Sequence, residues 1–404
     1  MRQVLVKATG IVLMAIVILG IPEAVLRLFP SLIAVSVIDR MHPALRSELA
    51  ARLDLPVEGD YAVIAPSERL DKGPDLFLMK PNRSYYRPVD PVDREAGAID
   101  TIYSDARGFC NPDRLAKQTS FEIVTVGGSV PNCVSVDGEA EFSAQLQNLL
   151  QTPSYNLGVT GVGPYEYNEV LARYYDDLRP RIVIFAISEA NDLRDCRRYL
   201  DHLAGKTRNK DSKLGGPFRV SYFLAFMKAS IASLAKEVLA STRPNFRYSV
   251  VSEGATIAMN VTNGDRDELK LAKEVRDGTL QPDLYAAPLK TFVDLAKQKG
   301  FVPVVLLVPA AYTLYQPSIT FEDPEIAKMM TNYSDVQRQW LAGNADALGY
   351  EFLDPTVFMQ KRAAEGPLLY FPSDIHLTAA GHTALAEAVE DRIRSSLEIF
   401  KAAE

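Results

Sequence analysis

FEIVTVGGS, residues 121–129, decides how the chain reads. FEIVTV is a short apolar, β-branched run that ends at Gly127-Gly128-Ser129, the pattern of a strand that stops at a turn. Glu139–Leu150 follows, with Phe142, Leu146, Leu149 and Leu150 on one helical face. YNLGVTGVG (155–163) is a second short strand running into a glycine loop, and Tyr165–Leu178 a second helix stopped by Pro180. RIVIFAI (181–187) is apolar enough to be buried on both faces. Farther on, Ala287–Lys299 is helical with Gly300 as its stop, and FVPVVLLVP (301–309) is another apolar strand. Ser334 or Asp335 can cap a helix from Val336 to Leu348, and YEFLDP (350–355) is a last strand. Thr378 can cap a final helix whose Leu385, Val389, Ile393 and Leu397 recur every fourth residue. Strands alternating with helices predict an α/β fold, a parallel sheet sandwiched in three layers. Residues 195–285 break the alternation. They hold a basic, glycine-bearing stretch and an amphipathic helix near Ser221–Leu239, so an inserted, lid-like segment is expected there.

In open parallel sheets ligands bind beyond the carboxyl ends of the strands. The residues at those ends are Ser129, the loop Gly158–Gly163, Glu189-Ala190-Asn191-Asp192 and, after the last strand and a loop, Ser373-Asp374-Ile375-His376. Together they supply what nucleophilic acyl transfer needs. A serine hydroxyl is a weak nucleophile at neutral pH, and His376 can take its proton because imidazole titrates nearby. Asp374 can accept from the other ring nitrogen, fixing the tautomer. The N–H groups of Ser129 and Gly161 and the Asn191 side-chain amide can face the developing oxyanion. Taken singly, each has a plainer reading. Gly-Gly-Ser is often only a turn, Asn191-Asp192 can cap the next helix, and His376 can be a structural histidine. His382, inside the final helix, reads as a packing residue. The glycine loop lacks the G-x-G-x-x-G spacing and a following Walker lysine, so it does not read as a phosphate cradle.

The set resembles the SGNH (GDSL-type) hydrolase superfamily over residues 100–395. Gly127-Gly128-Ser129 resembles the first block, Asn156–Gly161 the second, Ala190-Asn191-Asp192 the third and Asp374–His382 the last. The resemblance implies a flavodoxin-like sandwich. It also implies Ser129, His376 and Asp374 as the catalytic set, with Gly161 and Asn191 as oxyanion donors, and neither cofactor nor metal. Ser104–Phe109 resembles the lead-in of membrane-anchored bacterial members, and the unit ending at Val308-Pro309 resembles the branch of alginate and other polysaccharide O-acetyltransferases. In two places the chain departs from the common pattern. Gly128 stands where the family usually has Asp, so the serine loop is expected to be organised differently. Asp374 lies two residues before His376 rather than three, as in the acetyltransferase branch.

The N-terminus places this body in a compartment. After Arg2 and Lys7, Ala8–Ile21 carries no charge. Counting on through Leu26 makes a span if Glu23 sits near the far interface. Residues 1–29 are therefore expected to be an uncleaved single-pass anchor in the cell inner membrane, with residues 30–100 a stalk and lead-in. The domain of residues 101–400 then lies on the periplasmic side. A cleaved signal peptide and a buried core helix are the competing readings.

The chain has 404 residues, 44 basic and 51 acidic, a net charge of −7. That balance supplies no basic surface for nucleic acid. Four His and three Cys are too scattered for a zinc framework. Cys110, Cys133 and Cys196 read most simply as three small buried hydrophobes. A Cys133–Cys196 bridge joining two site loops is the sharper alternative.

The function expected is thus a membrane-tethered serine esterase or O-acetyltransferase. It would act on an acylated extracytoplasmic glycan or a small ester, with a membrane acyl-donor protein as a candidate partner. A catalytically idle module that binds glycan or an export partner is the alternative, and a lipase or phospholipase the third.

Overall fold

The computed structural model describes residues 16–33, 35–38, 41, 45, 48–49, 52–53, 61–63, 76–88, 99–206, 220–242, 248–259, 266–321, 323–372 and 375–402. The chain divides into two units, one of residues 1–60 with 208–244, the other of residues 61–207 with 245–404.

The larger unit is built on five parallel strands: β1 (Ile123–Gly127), β2 (Ser154–Gly158), β3 (Ile182–Ser188), β4 (Val302–Val308) and β5 (Glu351–Leu353), ordered β5-β4-β3-β1-β2. Gly127 pairs with Gly158 on one side and Ala186 on the other, so three strand ends finish side by side. The chain steps from β1 to β2, then turns back past β1 to β3. That reversal opens a crevice at the carboxyl ends. If its crossovers are right-handed, as such connections are almost always, this order puts α1 (Phe142–Leu150) on one face and α2 (Pro164–Leu178), α4 (Ala286–Lys299) and α5 (Pro324–Leu348) on the other. Packing follows that rule. The last helix, α6 (Ala379–Ala402), lies against α1, while α2 and α5 lie against α4. Helix α3 (Asp192–Leu203) leaves the end of β3. Side chains Ile182–Ile187 and Val304–Leu307 are buried, as a sheet covered on both faces requires. The parallel, three-layer α/β architecture expected from the alternation is what the chain forms.

Several boundaries differ. Helix α5 starts at Pro324, not near Val336. Asp323 accepts from Glu325 N at 2.9 Å, proline takes the first turn, and Met329, Met330 and Tyr333 carry the buried face. The stretch expected to be an irregular lead-in contains paired antiparallel strands, Arg83–Pro88 with Ile99–Ser104. Residues 195–285 are not one inserted segment. Tyr248–Ser252 and Ala255–Met259 form a hairpin in the larger unit, turned by Glu253-Gly254, both at positive φ. Helix Arg266–Arg276 packs on α5. Helix Tyr222–Thr242 instead belongs to the smaller unit.

In that smaller unit the helix Ile21–Leu28 packs against Tyr222–Thr242. Glu23 does not face an open interface. Its carboxylate accepts from Ser221 Oγ at 2.8 Å, Tyr222 N at 3.2 Å and Phe223 N at 2.9 Å, capping the second helix. Arg27 pairs with Glu23 and lies over the Tyr222 ring, 4.7 Å from its centroid. Leu26, Ile33, Leu45, Leu49, Tyr222 and Ala225 form part of a small core, while Ile18, Leu19, Ile21, Leu28, Phe29 and Leu32 are exposed. Among the described residues no helix is long and apolar enough to cross a membrane. The charged start and most of the apolar run of the expected anchor, residues 1–15, lie outside the described residues.

Candidate active site

Ser129 follows β1 by two residues. The hydroxyl Oγ lies 2.8 Å from His376 Nε2, across 247 residues of sequence. Asn132 N donates to Ser129 O at 3.2 Å and closes the turn. A Cβ on Gly128 would come 2.8 Å from the hydroxyl of the buried Tyr167, so a side chain there would have to displace that tyrosine. Tyr167 comes from α2. Its hydroxyl lies 2.9 Å from both Asp192 carboxylate oxygens, and Asp192 also accepts from Ser188 N at 2.9 Å. The serine turn thus rests on a tyrosine that is itself held by the residue after Asn191.

Below Ser129 is a buried polar mesh that sequence reasoning missed. Asn156, on β2, donates to Cys110 O at 3.0 Å and to Pro131 O, and accepts from Gly158 N at 2.7 Å. Asn111 accepts from Asn156 N at 2.8 Å and donates to Asp105 and to Asn156 O, each at 3.0 Å. The Tyr155 hydroxyl also donates to Asp105. Cys110 and Cys133 are joined in a disulfide, with Cα atoms 6.2 Å apart. This overturns the Cys133–Cys196 alternative, while the plainer reading of three small buried side chains holds in full only for Cys196. Cys133 is bridged to the lead-in rather than to Cys196, and Cys196 is a buried free thiol. The lead-in segment is therefore pinned to the serine loop twice, by amides and by sulfur. Glu141 caps α1, accepting from Ser143 N at 2.8 Å and Ala144 N at 2.6 Å. Burial pushes its carboxyl up to about 8 despite those bonds.

His376 is delivered by the turn before α6. Phe371 N donates to His376 O at 3.1 Å, and Tyr370 bridges Leu377. Thr378 caps α6 as expected, its Oγ1 accepting from Gly381 N at 3.1 Å. Gly381 has no room for a side chain, since a Cβ would lie 2.1 Å from Leu369 O. The Leu-Thr-x-x-Gly spacing after His376 is thus a docking device that sets the imidazole. His382 is the packing residue expected, fully buried in α6. Burial, with His376 adding to it, holds its imidazole down to about 3, so it stays neutral. Asp374 lies outside the described residues.

Gly161 lies on the loop after β2 with φ +79°, a conformation that glycine adopts without penalty. Asn132 Nδ2 donates to Thr160 Oγ1 at 2.7 Å, tying that loop to the serine turn. Asn191 stands at the N-cap position of α3, yet its side chain makes no capping bond. The side-chain oxygen is buried without a hydrogen-bond partner. Capping was the plain explanation for this asparagine, and the structure does not use it so. The preceding Glu189 fastens the loop to the end of β4, accepting from Ala310 N at 3.0 Å and Thr313 Oγ1 at 2.7 Å. Burial raises the Glu189 carboxyl, and burial with Asp195 nearby raises that of Asp192 well above the usual range. The structure thus brings Ser129 and His376 into contact and sets Gly161 and Asn191 on the loops leaving the two strands that flank β1.

No family model matches the sequence, and no curated protein matches it. Solved structures do. The chain is similar to a protein from Desulfitobacterium hafniense described as lipolytic and of the G-D-S-L family. The identity is 13%, over 68% of this chain and 99% of that one, with a TM-score of 0.34. It is similar to the esterase EstA from Pseudoalteromonas sp., at 11% identity over 70% of this chain and all of that one, TM-score 0.35. A GDSL-like lipase from Bacteroides thetaiotaomicron shares 12% identity over 72% of this chain and 94% of that one, TM-score 0.34.

Proposed function

We propose that this protein is a serine esterase or acyltransferase of the SGNH type, acting on an acyl ester through an acyl-enzyme on Ser129. The observation that carries the reading is the 2.8 Å contact between Ser129 Oγ and His376 Nε2. It favours chemistry over a module that only binds glycan or a partner. His376 accepts the hydroxyl proton as Oγ attacks the ester carbonyl, forming the C–O bond of a tetrahedral adduct. The negative oxygen of that adduct is received by the N–H groups of Ser129 and Gly161 and by the Asn191 amide. Collapse of the adduct breaks the ester C–O bond, and imidazolium returns its proton to the departing alkoxide. Water or a sugar hydroxyl then repeats the sequence in reverse, giving hydrolysis or transfer. Asp374 is assigned to the other ring nitrogen on sequence spacing.

The substrate class we favour is an O-acetylated extracytoplasmic glycan, with the chain tethered to the inner membrane by its N-terminus and a membrane acyl donor as candidate partner. Two features support that setting. Ile18, Leu19 and Ile21, at the end of the uncharged run that begins at Ala8, are exposed, as are Leu28, Phe29 and Leu32 beyond it. The Cys110–Cys133 disulfide is the kind of bond that persists in oxidising compartments.

One experiment tests both halves. Membranes carrying the full chain should release acetate from p-nitrophenyl acetate, and the activity should stay in the pellet through a high-salt wash. Ser129→Ala should lower the rate by at least about 10³-fold. Equal rates for the two proteins would remove Ser129 from its role, and activity in the salt wash would remove the tether.

A further inference from the structure

Helix α3 begins just after Asn191, and its second turn sends a guanidinium back to the loop that carries Gly161. Arg198 Nη2 donates to Gly161 O at 2.8 Å and lies 3.6 Å from Glu166 Oε1, while Nη1 lies 3.1 Å from Asp195 Oδ1. Both carboxylates are buried. Glu166 also accepts from Gly163 N at 3.1 Å. Gly163 is pressed on Asp195 so closely that an added Cβ would lie 2.6 Å from the Asp195 Cβ.

Gly163 is therefore fixed by packing and by a hydrogen bond, but Gly161 is different. A Cβ there would meet nothing within 4 Å, and the residue is exposed. Packing does not decide where its peptide points. Its carbonyl is held by Arg198, and Arg198 is held by carboxylates of α2 and α3. The serine-side bond from Asn132 stops one residue earlier, at Thr160.

We infer that Arg198 is a positioning residue for the oxyanion donors: it holds the Gly161 peptide and joins that loop to the helix that starts beside Asn191, so that the two donors keep one spacing. The inference rests on the proposed function and adds a residue to it. Arg198 need not touch substrate. Its effect is on an interaction made only when the carbonyl oxygen becomes negative, so it belongs to turnover and not to substrate binding.

The test uses the purified full-length protein in detergent with p-nitrophenyl acetate, and a small alkyl boronic acid that forms a tetrahedral adduct on an activated serine. Arg198→Gln and Arg198→Ala should lower kcat about 10- to 100-fold, the scale of a misplacement near 1 Å. KM should stay within about twofold, and the boronate inhibition constant should rise with the fall in kcat. Arg198→Lys, which keeps the charge but not the fork, should recover part of the loss. Wild-type kcat and boronate affinity in the Gln and Ala variants would overturn the inference. So would a lower kcat with unchanged boronate affinity, because that marks lost active protein and not displaced donors. If Ser129→Ala hydrolyses as fast as wild type, the serine mechanism itself fails. If Ser129→Ala is dead and the Arg198 variants match wild type, only the positioning role fails.

Discussion

The loop bearing Ser129 is fastened by a disulfide and by amides, whereas the loops bearing Gly161 and Asn191 are fastened by carboxylates and a guanidinium. On the serine side Asn156 reaches Cys110 O, Pro131 O and Gly158 N, and Cys110–Cys133 closes the mesh. On the side of the proposed oxyanion donors Asp192 holds Tyr167, and Asp195 takes both Arg194 at 2.9 Å and Arg198 at 3.1 Å. In the amide mesh a single side chain, Asn156, serves three backbone groups, so removing it strands all three. The ionic mesh shares partners, so it tolerates a loss in stability while losing precision. The serine side should therefore carry stability, and the oxyanion side turnover.

The largest expected effect is Asn156→Ala. It leaves two buried carbonyls and one buried N–H without partners, each costing about 1–3 kcal/mol, for a total of roughly 4 kcal/mol. Arg198→Gln takes a partly exposed guanidinium from two buried carboxylates, but Asp195 keeps Arg194 and Glu166 can take up a proton, so it should cost about 1–2 kcal/mol. Urea midpoints at constant slope measure both, and equal losses would erase the asymmetry. Next is the disulfide. The two cysteines are 23 residues apart, so opening the bridge should cost about 3 kcal/mol by loop entropy. Reductant should lower the melting temperature of wild type and of Cys196→Ser alike, and leave a Cys110→Ser/Cys133→Ser protein unchanged. A reductant response that survives in the double variant would point to a different origin.

The alternation of apolar runs made the sheet legible, because a strand buried on both faces has to be apolar and short. Ser129 and His376 were legible because each adjoins an element that the sequence marks: Ser129 follows a strand stop, and His376 precedes a Thr378-capped helix. The support under them was not. Asn111, Asn156 and Asp105 are ordinary loop and strand residues until folding places them together. Their roles depend on contacts 45 or more residues apart. The approach of the Tyr167 hydroxyl to Gly128 could not be read either, since only the three-dimensional placement of α2 shows it. Arg198 was hidden for a related reason. On a helix rich in arginine it looks like a solvated charge, and its partner is a backbone carbonyl with no sequence signature. The cysteine pairing failed on the same ground, because nearness to the site in sequence favoured Cys196 over Cys110.

The two sides should also differ, by a smaller amount, in how their stability responds to pH. Burial pushes the Glu166 carboxyl up to about 7, with Arg198 pulling it down less strongly, and burial pushes Glu141 on the serine side up to about 8. In the unfolded chain both titrate near the ordinary glutamate value of about 4.3. Between that value and the folded one, the native state keeps a proton that the unfolded chain has released. Stability that is full at lower pH is then lost as pH rises, at about 1.4 kcal/mol per unit for each such group. Glu166→Gln removes one group and keeps an acceptor for Gly163 N. The slope of its unfolding free energy should be shallower than that of wild type from about pH 4.5 to 7, and parallel to it from 7 to 8, where Glu166 no longer contributes. Curves parallel over the whole range would mean that Glu166 is already ionised against Arg198. The Arg198–Glu166 contact would then be an ordinary ion pair, with no pH response of its own to set against Glu141 under Ser129.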